Sequence, residues 1–245
     1  EVRGYGGEIV DGEVTAVART DDGFAVTLRD GGAVRARRLL VTTGLADELP
    51  DIAGLRERWG REVVHCPYCY GWEVRDQPIG VIATGPMSVH GALLFRQLSA
   101  DVAFLANDLP LSADQREELA ARGIEVVEGA VAALEITQDR LTGVRLADGT
   151  LIPRTTVAVA SRMVARAEFL AGLGLTAVAH PSGMGEHIPA DPTGRTEVPG
   201  VWAAGNVTDL SAQVGSAAAA GAMAGAQINA DLVAEEVRAA VAARV

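Results

Sequence analysis

The two cysteines of the chain, Cys66 and Cys69, stand with two residues between them in V-V-H-C-P-Y-C-Y-G-W-E, residues 63–73. Two thiols at this spacing can close a small disulfide ring, take up or release two electrons, and exchange with an outside dithiol. Packing as two small apolar side chains is the competing explanation, and a pair flanked by His65, Pro67 and Gly71 is poorly explained by packing alone. Zinc wants four ligands, and no second C-x-x-C or H-x-x-x-H completes such a set. Thiolates are the reactive species, so exchange must be accompanied by proton transfer. His65, directly before Cys66, is the nearest group with a suitable ordinary pKa. Glu73 is a weaker candidate, and Tyr70, with an ordinary pKa of about 10, is a poor base near neutrality.

The totals bound the class of protein. A chain of 245 residues that is 49% apolar can bury one large core or two ordinary ones. With 28 glycines and 22% charged residues it fits a Gly-rich α/β protein. A net charge of −11 argues against nucleic acid as a partner, since phosphate binding needs a basic surface. No apolar run approaches the roughly 20 residues of a membrane span. The first residues have neither the basic start nor the apolar core of a signal peptide, so a cytoplasmic location is expected. In a reducing compartment, two cysteines this close are catalytic or metal-binding before they are a structural staple.

The elements that must position the pair follow from periodicity and turn residues. Glu13–Arg19, Gly23–Arg29 and Ala33–Thr43 read as three strands of a meander, the last entering a core at Leu39–Val41. Leu45–Arg61 is a connection marked by Pro50 and Gly54. Pro78–Gly85 reads as a buried strand and Gly turn, followed by a helix over 87–98, a strand over 102–105, a helix over 112–122 with Ser112 as N-cap, and a strand over 124–128. Strand, Gly turn, helix and strand make a βαβ unit and imply a parallel sheet. A second meander is expected over 130–136, 141–146 and 150–159. Residues 201–206 form a buried strand ending in a Gly turn, and 213–237 a long Ala/Gly-rich helix whose small residues admit another backbone closely. The expected class is α/β, with two Rossmann-like nucleotide-binding domains of βαβ plus meander. Residues 1–61 and 162–245 make the first, and 62–161 the second, which carries the cysteine pair. Only the second meander is preceded by its own βαβ, so a matching unit is expected ahead of Glu1.

C-P-Y-C with G-W-E, the strand end L-L-V-T-T-G at 39–44, and T-E-V-P-G-V-W-A-A-G-N-V-T-D at 196–209 with Gln213-Val214 after it resemble the low-molecular-weight thioredoxin reductases. Within that family the sequence is most similar to the branch of FAD-dependent dithiol oxidases that close disulfides in small natural products such as holomycin, gliotoxin and the depsipeptides. The resemblance spans Glu8 to the end. It implies FAD as cofactor, a homodimer, and a small-molecule dithiol or a thioredoxin-like protein as partner. It further implies that Cys69 lies next to the flavin and Cys66 is the exchanging thiol. The implied cofactor-binding positions are Val14, Thr43, Gly44, Gly205, Asn206, Gln213 and Val214, with Asn206 where the family's Asp holds a ribityl hydroxyl. Such a sequence has an initial G-x-G-x-x-G unit that cradles the FAD pyrophosphate. The stretch from Glu1 lacks it, so weak flavin retention by this stretch alone is expected.

The departures from a reductase concentrate in the middle βαβ. A-T-G-P-M-S at 83–88 keeps one Gly of the expected turn and places Pro86 where a phosphate-facing N–H is needed. Ala106-Asn107-Asp108 follows the next strand with no cation for a 2′-phosphate and an added acid. Ser161-Arg162-Met163 replaces the family's G-H-x-P-N. These losses favour electrons leaving to oxygen, hence a dithiol oxidase. A thioredoxin reductase with degenerate NADPH contacts or another donor such as ferredoxin, and a non-catalytic scaffold derived from such a flavoprotein, are the alternatives.

Overall fold

A computed structural model describes residues 1–244 and divides into two compact units. The first is built from 1–47 and 163–245, the second from 48–162. Residues 48–61 therefore belong to the second unit, where the sequence placed them in the first. The reason is burial: Ile52 and Leu55 enter the core of the second unit, and Ala53 bridges to Ala133.

In the first unit, β1 (Val14–Thr20), β2 (Gly23–Leu28) and β3 (Ala33–Ala36) form an antiparallel meander. The expected third strand does not run on to Thr43. It breaks at Arg37 and Arg38, and β4 (Leu39–Val41) restarts in a different sheet, parallel to the late strand over Val201–Ala203. The break is held by charge: Arg38 donates to Asp231 at 2.7 Å and pairs with Glu235, while Arg37 pairs with Glu235 at 2.8 Å and Glu236 at 2.9 Å. Next comes β5 (Leu45–Glu48), in the stretch expected to be connection only.

The second unit opens with a 3-10 turn at Arg56–Arg58 and the short β6 (Val63–Val64), then α1 (Pro67–Tyr70). The expected βαβ follows as β7 (Ile79–Ile82), α2 (Ser88–Phe95) and β8 (Val102–Leu105), then α3 (Ala113–Ala121) and β9 (Glu125–Val127). Ser112 caps α3 in a full capping box, accepting from the Gln115 N–H at 3.2 Å while the Gln115 side chain accepts from the Ser112 N–H at 3.0 Å. The meander is β10 (Val131–Thr137), β11 (Arg140–Leu146) and β12 (Leu151–Pro153). Here too the third strand breaks, at Arg154, just after a proline that cannot donate to a ladder. β13 (Thr156–Val159) then enters the parallel sheet, whose order is β6-β13-β7-β8-β9. Both units thus repeat one device, a meander whose last strand bends and continues into a parallel sheet.

Alternation along these strands builds three layers. Val81, Phe104 and Ala158 face a helix-side core with Phe95 and Leu119, while Ile82, Leu105 and Val157 face the meander side with Leu134 and Val144. This α/β layering matches the Rossmann-like expectation.

The chain returns through β14 (Arg162–Ala165), paired with β5, a 3-10 segment at Glu168–Leu173, and the hairpin β15 (Val178–Ala179) and β16 (Glu186–His187). β17 (Val201–Ala203) precedes α4 (Val214–Ala242). β17 turns Val201 and Ala203 toward Val17, Phe24 and Val41 beneath it, and Trp202 toward Ala224 of α4.

Candidate active site

β6 is buried, and the chain emerges from it at His65 into the redox turn. Cys66 is the N-cap of α1 with extended backbone, and Pro67 occupies the first helical position, where a missing N–H costs nothing. The Cys69 and Tyr70 N–H groups both donate to the Cys66 carbonyl, at 3.2 and 3.1 Å. Gly71 and Val74 point inward. A Cβ at Gly71 would lie 2.1 Å from the Pro67 carbonyl oxygen and 2.3 Å from Leu98 Cδ1, so only glycine lets the turn settle onto the core. Val74 packs into the helix-side core of this unit.

This seat leaves Tyr68, Cys69, Tyr70, Trp72 and Glu73 exposed and Cys66 half-buried. The two sulfurs lie 2.7 Å apart, with Cys69 Sγ donating to Cys66 Sγ. Burial first, then that hydrogen bond and the neighbouring sulfur's charge, push the Cys69 thiol up to about 11. Cys69 therefore keeps its proton near neutrality. It is also the more exposed of the two, so exposure alone ranks the pair opposite to the roles the resemblance implies.

The expected proton carriers sit in sequence beside the sulfurs but are not joined to them. His65 stacks its ring on Trp59, centroids 5.6 Å apart at 18°. Tyr70 is held through its backbone, its N–H donating to Cys66 and its carbonyl accepting from the Val74 N–H at 3.3 Å. The Glu73 carbonyl accepts from Gln77 at 3.5 Å. Among the described residues none of the three side chains bonds either sulfur. Trp59 and Leu98 shape the turn and escaped sequence reasoning, because a stacking partner and a packing seat leave no motif.

The nucleotide turn after β7 is filled by its own residues. Ser88 is buried, and its Oγ accepts from the Thr84 N–H at 3.0 Å and the Gly85 N–H at 3.3 Å, so two donors of the turn are spent inside the chain. Asn107, at φ 47°, donates to the Ala83 carbonyl at 3.1 Å and accepts from the Val131 N–H at 2.9 Å, tying the strand ends together. Ser88 was legible as the end of A-T-G-P-M-S, but not as the acceptor of both N–H groups.

The expected flavin positions lie in the first unit, mostly at the carboxyl ends of the parallel strands β4 and β17, where α/β sheets bind ligands. Both ends turn through glycines with positive φ, Gly44 at 66° and Gly205 at 82°. Thr43 Oγ1 donates to the Arg166 carbonyl at 2.7 Å and the Arg166 N–H to Gly44 at 3.3 Å, fixing the first turn. Asn206 commits its amide N–H to the Ala212 carbonyl at 2.9 Å, which leaves its side-chain oxygen to accept from a hydroxyl. Gln213 is the N-cap of α4 with no side-chain capping bond, and Val214 is 87% exposed. The first-turn N–H groups of this long helix are unpaired donors beside positive dipole. A Cβ at Gly44 would meet nothing within 4 Å. An open glycine turn at Gly44, a spare acceptor and an uncapped helix start fit a flavin: Thr43, Gly44, Gly205, Asn206, Gln213 and Val214 would hold it. Val14 stands apart, half-buried in β1 opposite Leu28 and packed against the core.

Parallel-sheet layering, a cysteine pair on a helical turn and two glycine-ended strands define a disulfide oxidoreductase. Residues 5–225 match the pyridine nucleotide-disulphide oxidoreductase family, and the chain belongs to it. It is an FAD-dependent oxidoreductase of thioredoxin reductase-like type. It is similar to thioredoxin reductase tcpT of Claviceps purpurea, 31% identical over 237 residues covering 90% of this chain and 71% of that protein. It is similar in structure to HlmI, with TM-score 0.87 and 48% identity over 99% of this chain and 76% of that one. A thioredoxin reductase TrxB described from Bacillus anthracis superposes with TM-score 0.86 at 27% identity, covering 96% of this chain and 79% of that one. No helix among the described residues is long and apolar enough to cross a membrane.

Proposed function

We propose that the protein is a dithiol oxidase that closes a disulfide in a small-molecule dithiol through Cys66 and Cys69, with dioxygen as final acceptor. The observation that carries this reading is Ser88, whose hydroxyl occupies the Thr84 and Gly85 N–H groups of the nucleotide turn. Asp108 beside that turn adds an acid where a cation would read NADPH. A chain without a working nicotinamide site has no evident way to refill its cysteines with electrons, and is suited to passing electrons out.

A substrate thiolate attacks Cys66 Sγ, breaking the Cys66–Cys69 disulfide and forming a mixed disulfide. The second substrate thiol displaces Cys66, giving the cyclic product and two reduced cysteines. Two electrons and two protons then leave the pair; bound FAD supplies the two-electron relay to dioxygen, which becomes hydrogen peroxide. Cys69, whose thiol is pushed up to about 11, has to surrender its proton in that last step. His65 and Glu73 are the groups within the turn that can receive it once side chains shift, with the Tyr70 phenol able to do so only after ionising itself. We place the enzyme in the cytoplasm as a homodimer, with the Ala/Gly-rich α4 available to a close interface.

The test is stoichiometry on the flavin-loaded protein. One dioxygen consumed and one peroxide formed per disulfide closed, abolished by Cys66→Ser or Cys69→Ser, is expected. Turnover of dithiol without oxygen uptake, or only with NADP+ present, overturns the assignment.

A further inference from the structure

Three of the ten aromatic residues, Tyr68, Tyr70 and Trp72, crowd into five positions around Cys69. All three are exposed, Tyr68 at 78% and Trp72 at 69%. They are not there for stability, since the turn is seated by Gly71 and Val74 on its other side. Exposed apolar surface of this kind marks a contact site. The backbone stays helical past α1, with the Gly71 N–H donating to Pro67 at 2.9 Å and the Val74 N–H to Tyr70 at 3.3 Å. Tyr68 and Trp72, four apart, thus share one side of the turn, a spacing that sets side chains roughly 5–6 Å apart at Cβ. One face of Trp72 is already covered by the Arg75 guanidinium at 4.1 Å, and Arg75 is pinned by its bond to the Trp72 carbonyl at 2.6 Å. The indole is thereby held in orientation with its other face open.

Resting on the dithiol oxidase reading, we propose that Tyr68 and Trp72 form an aromatic clip that binds the substrate through a flat, apolar ring, and so select small dithiols carried on an aromatic or conjugated ring. Two rigid rings four residues apart suit a planar group and give little purchase on a flexible aliphatic chain. Their place beside the exposed Cys69 and the half-buried Cys66 brings such a ring's thiols to the disulfide.

The probe is 1,2-benzenedimethanethiol, with dithiothreitol as the aliphatic control. Binding is read first, free of turnover: the cyclic disulfide of each is titrated into the Cys66→Ser/Cys69→Ser chain by NMR. The aromatic disulfide is expected to shift Trp72 and to bind about five- to tenfold more weakly after Tyr68→Ala or Trp72→Ala, with oxidised dithiothreitol unaffected. On the flavin-loaded enzyme the same substitutions should raise KM for the aromatic dithiol by a similar factor, with kcat and the dithiothreitol KM unchanged. Both positions are exposed, and circular dichroism of the variants checks that they fold. Equal losses for both dithiols, or no change for the aromatic one, overturn the clip. Loss of turnover with a thioredoxin-type protein while the ring binds as before also overturns it, assigning the patch to protein docking. Intact ring binding with no dithiol oxidised by any variant supports the clip while removing the oxidase reading.

Discussion

Replacing Cys66 by Ser should make Cys69 easier to ionise. In the pair, the Cys69 thiol is pushed from 9.0 up to about 11 by burial, by the 2.7 Å hydrogen bond to Cys66 Sγ and by that sulfur's charge. At pH 8 a thiol of pKa 11 is about one part in a thousand thiolate, against about one in ten at pKa 9. The substitution removes the charge, exchanges the sulfur that accepts the Cys69 proton for a hydroxyl that can also donate to the thiolate, and leaves burial, so the gain falls short of the full hundredfold. A rise of about tenfold in Cys69 alkylation rate at pH 8 is the expected size, because the thiolate is the reacting species. The assay is iodoacetamide modification of the reduced protein from pH 6 to 11, followed by mass spectrometry of the peptide carrying residue 69. Wild-type protein should show two steps belonging to the pair, and Cys66→Ser a single step at lower pH than the upper one. A single step at or above the upper wild-type midpoint would refute the reasoning and leave burial as the whole cause.

Gly71→Ala forces a Cβ to within 2.1 Å of backbone oxygen, which cannot swing away; it should destabilise the second unit by about 1–3 kcal/mol, read as a lowered urea midpoint, and slow dithiol exchange. Ser112→Ala removes the capping box of α3 and should cost about 1 kcal/mol without touching thiol reactivity, a check that the two effects separate. Asp139 accepts from Arg58 at 2.6 Å and Arg61 at 3.0 Å, which holds its carboxyl down at about 2. A depressed acid stabilises the fold above its unfolded pKa and loses that contribution as pH falls through the folded value. Asp139→Asn should therefore lower the thermal midpoint at pH 7, with the difference from wild type shrinking below about pH 4 and gone only below about pH 2.

Much of the fold could be read ahead of the structure where local signals and tertiary demands agree. The βαβ over 79–105 follows from a buried strand, a Gly turn and an apolar helix, and Ser112 announced the start of α3, though not the Gln115 half of its capping box. The strand breaks at Arg37-Arg38 and Arg154 did not show, because extended propensity is continuous across them. The first is fixed by acids of α4 almost two hundred positions away. Residues 48–61 looked like a linker from Pro50 and Gly54, yet Ile52 and Leu55 are buried. At the site, the cysteines and their order in the chain were plain. The stacking of His65 on Trp59 and the capture of two N–H groups by Ser88 depend on side-chain placement that no spacing encodes.

The central claim is the direction of electron flow, and anaerobic mixing of the flavin-loaded protein measures it. A small dithiol should bleach the visible absorbance of oxidised flavin within the turnover time, through Cys66 and Cys69, while NADPH at millimolar concentration leaves it unchanged. Rapid bleaching by NADPH would contradict the account, because the nucleotide turn closed by Ser88 would then have to open and bind it.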